Sequence, residues 1–285
     1  MTPDTTWRDL LREACDRLGV EHEARRLIER ASGYEGPDYV LALDEPARER
    51  SIPFFRDMLE RRASGEPLQY VLGRWGFRKL DLFVDRRVLI PRPETEQVVE
   101  HALAEARRLA RPLVTVDLGT GSGAIALSLA LELGPEVEVW ATDRSADALA
   151  VARANLTGIG SFAAQRVRLV EGDWFAALPE EMRGHIGLIV SNPPYVGASE
   201  ELPGEVRDWE PEGALVAGPG GLEDVERIVS AAPSWLTAPG ALVVEIAPHQ
   251  AEGASTLARA AGFDDVDVLP DLSGRLRALV ARVSP

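Results

Sequence analysis

The sequence predicts an α/β fold: a mostly parallel sheet flanked by helices and preceded by a small helical region. Three observations carry that expectation. The segment Gly119-Thr120-Gly121-Ser122-Gly123 separates an apolar strand-like run at 113–118 from an apolar helix-like run at 124–131. Further apolar runs at 137–142, 167–171 and 187–190 each end in polar or turn-forming residues, as parallel strands do where their carboxyl ends open onto a binding crevice. Two last strand-like runs, near 266–269 and 276–283, are joined by a turn around Pro270-Asp271-Leu272-Ser273-Gly274. That turn is too short for a parallel crossover, so one of the two runs antiparallel.

Taken in order, residues 5–63 read as a helical bundle. Trp7, Leu10, Leu11, Ala14 and Leu18 form one helical stripe, with Thr6 and Asp9 as its start signal. Ala24, Leu27, Ile28 and Ala31 form a second, stopped at Gly33. Pro46 and Pro53 bracket later short helices, and Gly65-Glu66-Pro67 marks the exit into a linker. Residues 77–90 read as two short strands and 94–109 as a helix leading into the sheet. Beyond residue 192 the pattern gives a helix near 222–235, a strand at 241–246 and a helix at 250–261. The chain therefore divides into a helical domain at 1–66, a hairpin linker at 67–92 and an α/β domain at 93–285. At 285 residues it is long enough to bury a sizeable core.

The most informative segment is Asn192-Pro193-Pro194-Tyr195, directly after the run at 187–190. Two consecutive prolines fix φ twice, remove two backbone donors and push Asn192 away from helical geometry. Such a turn offers acceptors and almost no donors. A planar NH2 group, from a carboxamide or a base, has two N–H bonds that the Asn192 side-chain oxygen and the Pro193 carbonyl can accept, and Tyr195 can lie against its flat face. The glycine loop alone is shared by nicotinamide, flavin and S-adenosylmethionine binders. Here the spacing is Gly-x-Gly-x-Gly with Asp117 two positions before the first glycine, unlike a dinucleotide Gly-x-Gly-x-x-Gly motif. Asp143, at the end of the next strand, is placed to accept from two ribose hydroxyls. Asp173 and Trp174, after the run at 167–171, can supply an acceptor and a flat apolar wall for adenine.

Composition limits the function classes. A net charge of −15 and a pI near 4.8 argue against duplex DNA as a substrate, because neutralising phosphate supplies much of nucleic-acid affinity. A local basic cluster does exist between Arg61 and Arg92, with eight basic residues against three acidic ones; it reads equally as a solvated hairpin surface or a partner-docking face. Cys15 stands alone, and His22, His101, His185 and His249 are scattered without ligand spacing, so neither disulfide nor metal is expected. Asp4, Arg8 and Asp9 interrupt any signal-peptide core, and no apolar run approaches membrane-spanning length, so a cytoplasmic protein is expected; a monomer is the default expectation, which no feature of the sequence decides. No Gly-x-Ser-x-Gly elbow supports a hydrolase.

These residues carry a family resemblance. The chain resembles the class I S-adenosylmethionine methyltransferases, and among them the PrmC/HemK protein-(glutamine-N5) methyltransferases of peptide chain release factors. The segment 67–96 bears it most selectively, from Pro67-Leu68-Gln69-Tyr70 to Ile90-Pro91-Arg92-Pro93-Glu94-Thr95-Glu96, and it continues through Glu210-Pro211, Ala214-Leu215 and Gly221-Leu222 to Gly274-Arg275-Leu276-Arg277. Residues 65–285 are covered firmly; the first 60 match in helical character and length. One departure is Gly220, where an acidic residue is expected before Gly221.

The resemblance implies a Rossmann-like, seven-stranded class I methyltransferase sheet with an antiparallel C-terminal hairpin, and an N-terminal domain for substrate recognition. It implies S-adenosyl-L-methionine as methyl donor, class I release factors as partners, and methylation of the glutamine in their Gly-Gly-Gln loop. Asn192, Pro193, Pro194 and Tyr195 would then hold the glutamine, with Asn192 also beside the cofactor. Asp117 and Gly119, Thr120, Gly121, Ser122 and Gly123 would hold the methionine part, Asp143 the ribose, and Asp173 with Trp174 the adenine. The Asn-Pro-Pro-Tyr motif is shared with enzymes that methylate adenine N6, and a ribosomal-protein glutamine is a further substrate class. A cofactor-binding module without catalysis would not need the motif.

Overall fold

The computed structural model describes residues 5–285; the first four residues of the expected 1–66 domain, Asp4 among them, lie outside that range. Contacts divide the chain into two units. One extends to Arg74 and takes in Pro203–Trp209; the other comprises Trp75–Leu202 and Glu210–Pro285.

The first unit holds helices α1 (Trp7–Leu18), α2 (Glu21–Ser32), α3 (Gly36–Ala42), α4 (Ser51–Ala63) and α5 (Leu68–Leu72). α1 starts where the sequence places it. The Thr6 hydroxyl accepts from the Asp9 N–H and the Asp9 carboxylate accepts from the Thr6 N–H, satisfying two amides that a helix start leaves open. α2 stops at Gly33 in the left-handed conformation. Trp7, Leu10, Leu27, Ile28, Phe55 and Met58 are fully buried between these helices. α5 lies within the stretch expected as a linker, and its Leu68, Val71 and Leu72 are buried in this core. Basic residues here are paired, Arg61 with Glu66, Arg62 with Glu23 and Glu205, and Arg74 with Glu35.

In the second unit, β1 (Trp75–Phe77) and β2 (Leu80–Leu82) form a tight antiparallel hairpin. It is shorter than the expected 77–90, because from Phe83 onward the backbone turns to side chains for its hydrogen bonds. Asn155 bonds both the N–H and the carbonyl of Phe83, and Glu210 accepts from the Ile90 N–H. The basic residues of this stretch are also paired: Arg78 with Glu100 and Glu132, Lys79 with Glu132, Arg87 with Asp85, and Arg92 with Glu210. The basic cluster is thus largely neutralised within each unit, which favours its reading as an ordinary surface.

There follow α6 (Pro93–Arg108), β3 (Leu113–Leu118), α7 (Ala124–Glu132), β4 (Val137–Asp143), α8 (Ala146–Gly158), α9 (Ser161–Ala164), β5 (Val167–Glu171), β6 (Ile186–Ser191), β7 (Val196–Gly197), α10 (Gly204–Trp209, within the first unit), β8 (Val216–Gly218), α11 (Glu223–Ala231), β9 (Leu236–Glu245), α12 (Ala251–Ala260), β10 (Asp265–Pro270) and β11 (Leu276–Val283). Seven strands make one sheet in the order β10-β11-β9-β6-β3-β4-β5. β3 pairs in parallel with β4 and β6, β4 with β5 and β6 with β9, whereas β11 runs antiparallel to both β9 and β10. This is the expected seven-stranded, mostly parallel sheet with an antiparallel C-terminal hairpin. All six residues of β6 are buried, as a central strand covered on both faces requires. The chain leaves β3 toward β4 and β5, then returns to the other side of β3 as β6. The order therefore reverses beside β3, and the crevice outside the carboxyl ends of β3 and β6 is the place where such sheets bind ligands.

Candidate active site

The glycine loop is shaped from beneath. Asp117, the fifth residue of β3, is fully buried; its Oδ2 accepts from the Thr120 hydroxyl at 2.6 Å and from the Ala126 N–H at 3.1 Å. Its Oδ1 has no hydrogen-bond partner, and burial pushes its pKa up to about 7. The N–H groups of Gly119 and Thr120 donate to the Thr142 carbonyl, that of Gly123 to the Thr120 carbonyl, and that of Gly121 to Asp143 Oδ2 at 2.9 Å. These four loop amides are therefore engaged by the protein, so the loop contributes shape more than free donors.

Two glycines are required for distinct reasons. Gly121 has φ +54 and faces open space on a cavity wall, so any side chain there would be strained and would fill the cavity. Gly119 has φ +74, and a Cβ on it would stand 3.1 Å from the Trp174 ring. Trp174 itself adopts φ +47, an uncommon conformation for a bulky residue, and its Nε1 donates to Asp224 at 3.3 Å. The ring lies over Gly119 and forms a flat wall of the same cavity.

The cavity is lined by Gly119, Thr120, Gly121, Ser122, Asp143, Asp173, Trp174, Asn192 and Pro194 among others, including Thr95 of α6. Of the residues singled out in the sequence, Asp117, Gly123, Pro193 and Tyr195 do not line it. Asp117 is fully buried, and its carboxylate bonds Thr120 and Ala126 on either side of the loop, so it acts as the post around which the loop folds. Asp143 accepts from the N–H groups of Gly121 and Ser145, so part of its acceptor capacity maintains the loop; burial raises its pKa. Asp173 forms an ion pair with Arg227, a partner the sequence did not indicate.

The Asn-Pro-Pro-Tyr turn is held from afar. Asn192 Nδ2 donates to Thr95 Oγ1 at 3.3 Å, and that hydroxyl donates to Glu245 Oε2 at 2.6 Å. The Tyr195 hydroxyl donates to Glu245 Oε1 at 3.3 Å, so the phenol is anchored at the end of β9. Gln250 Nε2 donates to the carbonyls of Tyr195 and Gly221, each at 2.9 Å. A Cβ on Gly221 would come within 2.8 Å of the Tyr195 oxygen, so the two loops fit only with glycine there. The departure at Gly220 is compensated locally: its N–H donates to Glu223 Oε1 at 2.7 Å, so an acidic side chain three residues on braces the loop.

Two features make this turn chemically unusual. Asn192 Oδ1 is buried and has no hydrogen-bond partner, which is costly unless a ligand supplies a donor. Glu245 is 1 % exposed, and burial pushes its pKa up to about 7 against the opposing effects of the Thr95 bond and the Arg277 charge. Little in the sequence pattern singles out Thr95, Glu245, Gln250 or Asn155 as part of this site. An acid closing an otherwise apolar strand, as Glu245 closes 241–245, was the one available signal, since a charged residue is rarely buried without a specific reason.

Among the described residues no helix is long and apolar enough to cross a membrane, and no group of three or more His, Cys, Asp or Glu could hold a metal ion. Residues 6–73 match the family described as PrmC N-terminal domain, and residues 100–204 the family described as Methyltransferase small domain. A release factor glutamine methyltransferase from Cereibacter sphaeroides is 41% identical over 96% of this chain and 98% of its own length, and one from Salmonella typhimurium is 39% identical over the same shares. A methyltransferase structure from Pyrococcus furiosus superposes with a TM-score of 0.52 at 19% identity, over 73% of this chain and 91% of that one, sharing the fold. The glycine loop, the Asn-Pro-Pro-Tyr turn and full-length relatives at such identity lead to one conclusion: the chain belongs to the release factor glutamine methyltransferase family.

Proposed function

We propose that this protein transfers a methyl group from S-adenosylmethionine to the side-chain amide nitrogen of the glutamine in the Gly-Gly-Gln loop of class I release factors. The observation that carries the reading is the buried, unpartnered Oδ1 of Asn192, a residue of the cavity lining: an acceptor without an N–H in a turn whose prolines have no amide donors. The cavity fits the methyl donor: it has a flat ring in Trp174, a carboxylate in Asp143 and a floor at Gly121 that a Cβ would occupy. The loop 119–123 would hold the methionine part, Asp143 the ribose, and Trp174 with Asp173 the adenine. When bound, S-adenosylmethionine supplies an electrophilic methyl carbon on a sulfonium.

The task left to the chain's own residues is orientation. A carboxamide nitrogen is a poor nucleophile because its lone pair is delocalised into the carbonyl. Acceptance of its two N–H bonds by Asn192 Oδ1 and the Pro193 carbonyl aims the nitrogen and stabilises positive charge as it develops there. Fixed near-attack geometry can supply up to about 7–11 kcal/mol, so no nucleophilic side chain is required. As the N–C bond forms, the bond from the methyl carbon to sulfur would break and leave a neutral thioether, S-adenosylhomocysteine; one proton then passes from the cationic, strongly acidic nitrogen to solvent. The helical region at 1–66 would recognise the protein substrate, with 67–92 connecting it to the methyltransferase domain at 93–285.

The test is incubation with labelled S-adenosylmethionine and, separately, a release factor, ribosomal protein and DNA. Label should enter the release factor alone, and a release factor whose loop glutamine is changed to glutamate, which offers no NH2, should receive none. Label in DNA, or in the glutamate substrate at that position, would overturn the reading.

A further inference from the structure

We propose that Glu245, acting through Thr95, sets which end of the Asn192 amide faces the substrate. The inference deepens the reading above and rests on Asn192 as the acceptor for the substrate amide. An asparagine amide has two ends of similar size and opposite polarity. Only one orientation suits a substrate that arrives with N–H donors, and the Asn192 turn itself contains nothing that selects it.

The selection comes from hydrogen-bond direction along the chain Glu245, Thr95, Asn192. An ionised carboxylate only accepts. The Thr95 hydroxyl, 2.6 Å from Glu245 Oε2, must therefore point its single proton at Glu245. Its oxygen is then left only to accept, and the group 3.3 Å away is Asn192 Nδ2. With the NH2 end committed to Thr95, Oδ1 is turned elsewhere and left buried without a partner. The second carboxylate oxygen takes the Tyr195 hydroxyl, so one buried acid fixes two residues of the same turn. Glu245 contacts no reacting atom; it is a positioning residue.

Protonation undoes the arrangement. A neutral Glu245 can donate to Thr95 Oγ1, which frees the Thr95 proton to donate to Asn192. That favours the reversed amide, with an NH2 group facing the NH2 of the substrate. The groups facing Glu245 are Arg277 of β11, Glu94 and Thr95 of α6, and Tyr195. Burial outweighs the Arg277 charge and brings the ionisation to about 7, inside the working pH range. The turnover rate is accordingly carried by the ionised form and is lost as pH falls through that value.

The experiment measures kcat for methylation of a release factor at saturating S-adenosylmethionine, with cofactor affinity measured separately by calorimetry, for the full chain and four variants. Thr95→Val keeps the shape and removes the hydroxyl; it should lower kcat by roughly tenfold, the effect of one hydrogen bond, with a much smaller change in cofactor affinity. Thr95→Ser should restore most of the rate, which a purely packing role for Thr95 would not predict. Glu245→Gln should turn over more slowly and lose the acidic limb of the kcat profile near pH 7. Asn192→Ala separates this inference from the reading beneath it. If Asn192→Ala collapses turnover while Thr95→Val does not, or if the acidic limb survives in Glu245→Gln, the positioning role is wrong and the reading of Asn192 stands. If Asn192→Ala also turns over normally, both fall. Should Glu245→Gln fail to fold, the Thr95→Val and Thr95→Ser pair still decides.

Discussion

The glycine loop and the Asn-Pro-Pro-Tyr turn stand at the ends of adjacent strands, β3 and β6, and are held in shape by opposite means. The loop is shaped mainly by nearby chain: Asp117 bonds Thr120 three residues on and Ala126 nine residues on, the end of the next strand takes three loop amides at Thr142 and Asp143, and its glycines adopt positive φ. The turn is built from distant chain: Thr95 lies 97 residues before Asn192, while Glu245 and Gln250 lie 50 and 55 residues after Tyr195. The loop's amides are largely engaged, whereas the turn keeps a buried acceptor without a partner. A surface meant for a cofactor can be specified by backbone shape. One that must direct a weak nucleophile needs a side chain whose orientation is imposed from outside.

The sharpest way to break that contrast is at Asn192. In the proposed site Asn192→Ala removes the acceptor and leaves the glycine loop untouched, so methyl transfer should fall by at least about a hundredfold, as for loss of one preorganised transition-state contact. Cofactor affinity, measured by calorimetry, should change far less. Equal losses in both would mean that the two regions are not separable.

The converse change belongs to the loop. Asp143 holds the Gly121 amide and is the expected partner of the ribose, so Asp143→Ala should weaken S-adenosylmethionine binding by about 1.5–3 kcal/mol, the range for a hydrogen bond to a charged group. Gly121→Val should weaken it through obstruction and backbone strain instead. Unchanged affinity in Asp143→Ala would show the ribose to be elsewhere.

This division also explains what the sequence made legible. The parallel strands, the antiparallel last pair, the capping box at Thr6 and Asp9 and the glycine loop all depend on residues close together in the chain, and all are where the pattern put them. The Asn-Pro-Pro-Tyr turn was conspicuous because prolines write local geometry directly. Its supports were not, since no periodicity links Thr95 to Asn192 or Glu245 to Tyr195; only the fold brings α6 and β9 to that point. The hairpin ends sooner than its pattern suggests for the same reason: from Phe83 to Ile90 the apolar pattern continues, but Asn155 and Glu210 replace strand partners. For Asp117, the spacing to Gly119 is visible in the sequence and its complete burial is not.

A smaller effect is expected at Gln250, a buried residue immediately before α12 that ties the turn to the loop at Gly221. Gln250→Leu leaves the carbonyls of Tyr195 and Gly221 without that partner, a cost of about 1–3 kcal/mol for each acceptor that stays buried and unsatisfied. Chemical denaturation should register the loss, with cofactor affinity retained. A variant as stable as the parent would show that the turn does not depend on this clasp.

The finest distinction concerns the post beneath the loop. Asp117 has its pKa raised to about 7 by burial, so the folded protein holds this proton more tightly than the unfolded chain does. Its contribution to stability is fully present below the unfolded value near 4 and is lost as pH rises through about 7. Asp117→Asn keeps an acceptor for Thr120 and Ala126 but cannot ionise, so it escapes that loss. The stability of the variant relative to the parent should therefore climb across this window, by at most about 1.4 kcal/mol per pH unit, the limit for one proton. Comparing the two proteins cancels every other titration they share, including that of Glu245, which follows the same sign. Denaturation curves at several pH values between 5 and 8 measure the difference directly. Parallel stability profiles would mean that Asp117 is ionised throughout and that the charge beneath the glycine loop is compensated by a group other than Thr120 and Ala126.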